Sequence, residues 1–467
     1  MSAADAPPAD LEVCLEPAVR IMGEGRVVAG GQPFRLLHVT ADGAEAIAGW
    51  TRPAPVGDRP GYRALARRLL DAGMLTPRPA PAAATTNLTV VVPVRDRSVE
   101  LARCLDAVID ACPGSPLIVV DDGSTDRAAL TAVCAERGAR VLRHADSRGA
   151  GAARNTGLAE CTTAFVGFVD SDVVVPPAAP ARLLGHFADP RVGAVAPRIQ
   201  ALQGDGMIGG YEQRHSSLDM GPAGGLVAPR HSTPYVPSAV LFVRRGAVQE
   251  PFDESLIIGE DVDFVWRLAA AGWQVRYAPE AEAWHDHRIR LREFLARRHM
   301  YARSIGMLAH RHPRALSAMR VSVPMVLPWC LLAAGRPRAA VGAAAAVILR
   351  GGWQMRRLPG TSPAVAGGLV ARGLVATGVG LAHAIRRPWA PPLVLAARRQ
   401  AWARRALLAA FATAIVQDAV ATRRLGPAIA DVPVRILDEA IAALGVWHGC
   451  LEERTLRPLL PTWRSSR

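Results

Sequence analysis

The stretch Phe165-Val166-Gly167-Phe168-Val169-Asp170-Ser171-Asp172 decides the fold. A run of apolar and small residues without polar alternation predicts a strand buried on both faces. Two carboxylates follow at its carboxyl end, where an open α/β sheet receives its ligands. On a loop, Asp170 and Asp172 reach one hard divalent cation, shared with the phosphates of a bound nucleotide. Asp-x-Asp by itself also suits an ordinary surface loop; the apolar run before it makes it more specific.

The same pattern extends in both directions. Apolar runs at 88–94, 116–120, 141–144 and 163–169 alternate with helical spacing at 99–111, 128–138 and 150–159. Such alternation predicts a Rossmann-like α/β unit with a mostly parallel sheet covered on both faces. Polar clusters stand at the strand ends. Val92-Pro93-Val94-Arg95-Asp96 closes the first strand, and Asp121-Asp122-Gly123-Ser124-Thr125-Asp126 follows the second. The acidic pair offers oxygen acceptors to a nucleobase imide and a ribose; an Asx turn or a helix N-cap is the bland reading. Arg148 to Gly157 places Arg148, Arg154 and Asn155 on small-residue backbone beside phosphate, or else starts a close-packed helix.

Two later clusters carry acid–base and metal chemistry. Gly259-Glu260-Asp261 opens a helical pattern. Its acids cap a helix N-terminus, or one serves as general base toward an acceptor hydroxyl. Trp284-His285-Asp286-His287 offers a histidine as an extra metal ligand, or a loop histidine of no special role.

The flanks differ in character. Residues 12–76 show short apolar runs separated by Gly23-Glu24-Gly25 and Gly30-Gly31, then two helical stretches at 40–50 and 62–72. This predicts a small winged-helix-like α+β domain, a binding module or packing appendage. Residues 77–87 read as a Pro/Ala linker and 88–300 as the catalytic domain. Residues 301–467 read as helices, with apolar runs at 321–335, 339–349, 367–385 and 407–416. Most runs fall short of the ~20 residues that span a bilayer. All basic side chains besides histidine are Arg: residues 1–300 hold 32 against 35 acids, and 301–467 hold 23 against 6. Arg pairs edge the apolar runs, including Arg356-Arg357, Arg386-Arg387 and Arg404-Arg405. That places an anionic membrane surface above a solvated basic bundle, and nucleic acid low, because no aromatic residues interleave with the basic ones. The seven cysteines are scattered without C-x-x-C, which fits a reducing compartment rather than disulfides or zinc. No signal peptide is read at the N-terminus. The expected location is cytoplasmic, at the inner membrane face.

Together, the clusters over 88–290 resemble family 2 glycosyltransferases of the GT-A fold. That resemblance implies nucleoside-site roles for Pro93, Arg95, Asp96, Asp121 and Asp122, and donor contacts from Arg148, Asn155 and Asp170. It implies Mn²⁺ or Mg²⁺ on Asp172 and Asp170 with His285, and Asp261 as base beside Glu260. It also implies an inverting, single-step transfer from a nucleotide sugar. Residues 12–76 resemble peptide-recognition domains, and the whole arrangement is similar to the glycosyltransferases of the mycofactocin system. This implies β-linked glucose from UDP-glucose moved onto a peptide-derived redox cofactor or its precursor peptide. One departure stands out: processive members carry Q-x-x-R-W, whereas Gln354-Met355-Arg356-Arg357 is followed by Leu358. A lipid or envelope-glycan acceptor, and a non-catalytic scaffold binding a precursor peptide, remain as other readings.

Overall fold

The structure is a computed structural model that describes residues 6–23, 25–355 and 362–463. It forms two compact units, Met1–His287 and Arg288–Arg467.

The first unit opens with β1 (Glu12–Leu15), β2 (Arg20–Met22), β3 (Val27–Gly30), β4 (Arg35–His38), α1 (Ala41–Gly49), β5 (Ala54–Pro55), α2 (Pro60–Asp71) and β6 (Leu75–Pro77). The expected meander is β2-β3-β4, all antiparallel. A second sheet, β5-β1-β6, was not legible, because strands of two to four residues carry too little periodicity. Thr40 caps α1 by accepting the Gly43 N–H at 3.2 Å. Leu69 and Leu70 of α2 pack on Val13, Ile47, Trp50 and Met74, each large side chain contributing about 1.5–3 kcal/mol.

This module is docked rather than tethered. Buried Arg67 of α2 pairs with buried Asp189 at 2.7 Å. The segment read as a linker is held too: Pro77 belongs to β6, the Arg78 N–H donates to the Glu12 carbonyl at 2.7 Å, and the Ala82 N–H to the Ala181 carbonyl at 2.8 Å.

The central sheet follows: β7 (Leu88–Val94), α3 (Ser98–Ala111), β8 (Leu117–Asp121), α4 (Arg127–Glu136), β9 (Arg140–Arg143), α5 (Ala150–Ala159), β10 (Phe165–Val169), β11 (Val173–Val174), α6 (Ala178–Gly185), β12 (Val192–Ala201), α7 (Gly206–His215), β13 (Gly225–Leu226), β14 (Val240–Arg244), α8 (Glu260–Ala270) and β15 (Gln274–His285). Strand order is β11-β15-β12-β14-β10-β7-β8-β9, with β13 on β15. The pairs β9–β8, β8–β7, β7–β10 and β12–β15 are parallel. β14 runs antiparallel to both neighbours, and β11 and β13 run antiparallel to β15. The sheet is therefore mixed beyond β10. β14 is as buried and apolar as the parallel-paired strands β7 and β10, so its direction left no trace in its composition. Helix α5 lies close on β7: a Cβ on Gly157 would stand 2.3 Å from Val91 Cγ1.

The second unit contains α9 (Leu291–Arg311), β16 (Arg320–Val321), α10 (Val323–Ala333), α11 (Pro337–Met355), α12 (Pro363–Arg386), α13 (Ala390–Ala397), α14 (Ala401–Thr422), α15 (Leu425–Ala430), α16 (Val432–Glu452) and β17 (Thr462–Trp463). α9 and α16 meet where a Cβ on Gly306 would lie 2.1 Å from the Gly449 carbonyl oxygen. Helices α12 and α14, of 24 and 22 residues, exceed the apolar runs read from sequence and are long and apolar enough to cross a bilayer. Gln354 lies in α11; Arg356, Arg357 and Leu358 of the Q-x-x-R comparison lie outside the described residues, as does Glu24 of the first turn.

Arg67→Ala leaves the Asp189 carboxylate buried without its cation, a loss of about 3–5 kcal/mol for a broken buried pair. The expected result is a clearly lowered urea midpoint in tryptophan fluorescence; an unchanged midpoint would show that this pair does not hold the module.

Candidate active site

Asp170-Ser171-Asp172 turns the chain from β10 into β11. The Val173 N–H donates to the Asp170 carbonyl at 3.0 Å. β11 then pairs with the end of β15, setting Val173 opposite His285, and the Asp286 N–H donates to the Asp172 carbonyl at 2.9 Å. This register puts His285 Nε2 3.3 Å from Asp172 Oδ1. The other Asp172 oxygen is ion-paired with Arg97 at the start of α3. Behind His285, His287 Nδ1 lies 2.8 Å from His285 Nδ1, and His287 Nε2 lies 2.9 Å from Ser216 Oγ.

Asp172 and His285 suit a small divalent ion. Two ligands each ~2.1 Å from an ion at right angles stand roughly 3 Å apart, close to the separation found here. Among the described residues no three His, Cys, Asp or Glu side chains form a complete metal cluster. Asp172 and His285 could therefore supply two ligands to such an ion, a half-site among the described residues. Asp170, the third expected ligand, is turned elsewhere.

Asp170 belongs to Arg154. The Arg154 guanidinium is buried on α5, with Nη2 2.7 Å from Asp170 Oδ1 and Nη1 2.8 Å from Glu260 Oε1. It also lies over the Phe252 ring, 5.5 Å from the centroid. One cation thereby ties the end of β10 to the start of α8. Burial and the neighbouring Asp261 charge push the Glu260 carboxyl up to about 7, with Arg154 opposing. Burial also raises Asp261 above the usual carboxylate range, again against Arg154. Asp261 accepts the Ser238 N–H at 3.2 Å and the Val262 N–H at 2.8 Å. Glu260 is claimed by a cation while Asp261 keeps acceptor capacity, so Asp261 is the better placed of the two to take a proton. Asp170, Asp172, Glu260 and Asp261 thus share the two guanidiniums of Arg97 and Arg154.

The expected nucleoside residues divide. Asp121 is buried, accepting the Ser124 N–H at 2.9 Å and pairing with Arg143. Asp122 is saturated: Oδ1 takes His144 Nδ1 at 2.7 Å and the Arg148 N–H at 2.8 Å, and Oδ2 takes Ser147 Oγ at 2.7 Å and the Gly149 N–H at 2.9 Å. Burial raises its pKa, but those four hydrogen bonds more than reverse it and hold it low. Neither aspartate offers the open acceptors expected of it; both build the loop. Asn155 is likewise spent, pinning the Phe252 backbone at 2.8 and 2.9 Å. Arg148 pairs with Glu254 at 2.7 Å, and Pro93 is buried within β7. Asp126 caps α4 through the Ala129 N–H, as the bland reading held. Asp96 adopts a left-handed backbone (φ 54°), accepting the Thr125 N–H at 2.6 Å and donating its own N–H to Ser124 Oγ at 2.9 Å. Arg95 is exposed and reaches Ser147 Oγ at 3.1 Å. Asp96, Arg97, Ser98, Thr125, Asp126 and Leu130 line an open cleft of about 340 Å³, within the range of small-ligand sites. Arg97 and His144 were not singled out from sequence, and Arg154 was quoted only as one cation in its cluster.

Residues 89–250 match the family described as Glycosyl transferase family 2. The pre-mycofactocin glycosyltransferase of Mycobacterium tuberculosis is 37% identical over 473 residues, covering 98% of this chain and 99% of its own. The chain belongs to that family of glycosyltransferases. Glycosyltransferase AglE of Haloferax volcanii is 27% identical over 209 residues, covering 43% of this chain and 67% of that one. The solved mannosyltransferase of Pyrobaculum calidifontis, in complex with GDP-Man and Mn2+, aligns at 18% identity over 70% of this chain and 88% of that one, with a TM-score of 0.39, a likeness too distant to add to the strand order above.

In this chain Glu260 and Asp261 make a pair of adjacent carboxyls whose ionised form is disfavoured. A base must be ionised to act, and burial raises both carboxyls, so turnover is expected to hold above the pair's pKa and to fall as pH drops below it, on an acid limb shifted above the usual carboxylate range. The expected kcat/KM profile loses about tenfold per pH unit below that point. Asp261→Asn is expected to lower turnover by about 10²–10⁴ and to leave donor binding intact, read by isothermal titration. Arg154→Ala is expected to move the acid limb to higher pH; an unmoved limb would separate Arg154 from the base pair.

Proposed function

We propose that the chain moves a sugar from a nucleoside diphosphate donor onto a hydroxyl of a peptide-derived redox cofactor of the mycofactocin type, with inversion at the anomeric carbon. UDP-glucose is the proposed donor and the product is β-linked. The reaction is placed in the cytoplasm, at the inner face of the membrane. The observation that carries the reading is the Arg154 bridge, which sets a carboxylate base at the start of α8 beside the Asp170–Asp172 turn. The kinship with pre-mycofactocin glycosyltransferases supports the acceptor class.

In this mechanism the cleft lined by Asp96, Arg97 and Thr125 holds the nucleoside end of the donor. Asp172 and His285 would hold a divalent ion, Mn²⁺ or Mg²⁺, which would neutralise charge on the departing diphosphate. Asp261 takes the proton from the acceptor hydroxyl. That oxygen bonds to the anomeric carbon as the bond from this carbon to the phosphate oxygen breaks, and the diphosphate leaves with the electron pair. Arg154 keeps Asp170 and Glu260 in register throughout. Asp121, Asp122, Arg148 and Asn155 act at one remove, by shaping the loops around the donor. A non-catalytic scaffold would have no need of both the Asp172–His285 half-site and the base pair. Residues 12–76 are assigned to the acceptor's peptide portion.

The test is nucleoside diphosphate release from a panel of UDP- and GDP-sugars with Mn²⁺, with and without EDTA, in the presence of pre-mycofactocin. The expected result is EDTA-sensitive UDP release from UDP-glucose, lost in Asp172→Ala. Release that ignores EDTA, or an Asp172→Ala variant with wild-type turnover, would remove the metal half-site from the mechanism.

A further inference from the structure

Helices α11, α13 and α14 are built inside out, whereas α12, packed among them, buries Val370 and Leu374 beside Ala366, Ala382 and Ala384. In a water-soluble bundle the large apolar side chains face inward and small or polar ones face out. On α14 the buried stripe is Ala403, Ala406, Ala410 and Ala414, while Leu408 and Val420 are 72% and 73% exposed. On α11 the buried positions are Ala340 and Gly352, while Val341 and Leu349 are 70% and 72% exposed. α13 buries none of its residues, and Val394 and Leu395 point outward. The long apolar windows of α12 and α14 are each only 17% buried, although these helices pack on each other and on α10 and α11. Small residues at helix contacts and large apolar ones outside are the packing of helices whose solvent is lipid.

Charge completes the pattern at one end of the bundle. The turn after α10 lies against the start of α14, where a Cβ on Gly335 would stand 2.5 Å from Arg405 Nη1. This contact gathers Arg336, Arg338, Arg398, Arg399, Arg404 and Arg405, all exposed, into a single rim. A basic rim beside an outward apolar wall matches anionic headgroups over acyl chains. Arg372, midway along α12, is also exposed; its long stem lets the guanidinium reach toward the interface.

We propose that α10 to α14 are embedded in the acyl region of an anionic bilayer, with the arginine rim at its phosphates. The inference deepens the membrane location proposed above and rests on neither the donor nor the acceptor. A second copy covering the same wall would leave the basic rim without a counter-charge.

The experiment uses the full chain, mixed from mild detergent with vesicles of phosphatidylcholine, with or without phosphatidylglycerol, then floated on a density gradient. The expected result is flotation favouring the phosphatidylglycerol vesicles by about tenfold, resistant to high salt and to alkaline carbonate. L408E, V416E and V420E combined should lower flotation by about tenfold, with donor cleavage kept in the same sample. Release by salt would reduce the contact to the surface and overturn embedding. Protein left at the bottom of the gradient, or a lipid-free dimer by light scattering, would also overturn it. The wild-type result stands whether or not the triple variant folds. A floating protein that cleaves no donor would count against the transferase mechanism and leave embedding intact.

Discussion

The Arg154 guanidinium holds the site together. It is buried, and a buried cation persists only where carboxylates repay its lost hydration. Asp170 and Glu260 do so from two directions, one at the end of a central strand and the other at the first turn of a helix 90 residues later. A delocalised, planar cation can serve both at once, and a lysine could not reproduce that fork. The placement depends on α5 lying close to β7, which Gly157 permits against Val91. A side chain at Gly157 would push α5, and Arg154 with it, away from β7.

The carboxylates at the strand ends fall into two kinds. Asp122 accepts four hydrogen bonds, and Asp121 holds an N–H and an arginine, so their charge is spent on fixing the loop that joins β9 to α5. Asp172 and Asp261 are less fully committed. Burial first, and neighbouring carboxylates second, raise the proton affinity of the Glu260–Asp261 pair against the opposing pull of Arg154.

The flanking regions follow the same logic of compensation. The N-terminal module joins the catalytic sheet through the buried Arg67–Asp189 pair and through a Pro/Ala segment whose backbone is hydrogen-bonded. Helices α11 and α14 of the second unit instead leave large apolar side chains outside and bury mainly alanine and glycine. One interface is sealed against water by paired charge, and the other surface is largely apolar.

Much was legible from residues alone. Unbroken apolar strands ending in acids, alternating with amphipathic helices, determined the α/β core and the position of Asp170 and Asp172 at a strand end, while a helix N-cap in the Asp121–Asp126 cluster was one of two readings left open. The meander and its two helices were equally plain, because period and turn residues are local properties. Strand direction was not: β14 is apolar on both faces whichever way it runs. Which carboxylates are available was not legible either. Asp121 and Asp122 read as open acceptors because the donors that fill them, His144, Ser147 and Arg143, come from a later loop and strand. Arg154 looked like one cation among several until folding set its two partners around it, and His285 met Asp172 only through the register of β11 on β15. The sequence by itself determined which residue types stand at strand ends, since burial and periodicity are written locally. Only the tertiary structure decided which charges cancel, because pairing depends on distances between segments far apart in the chain.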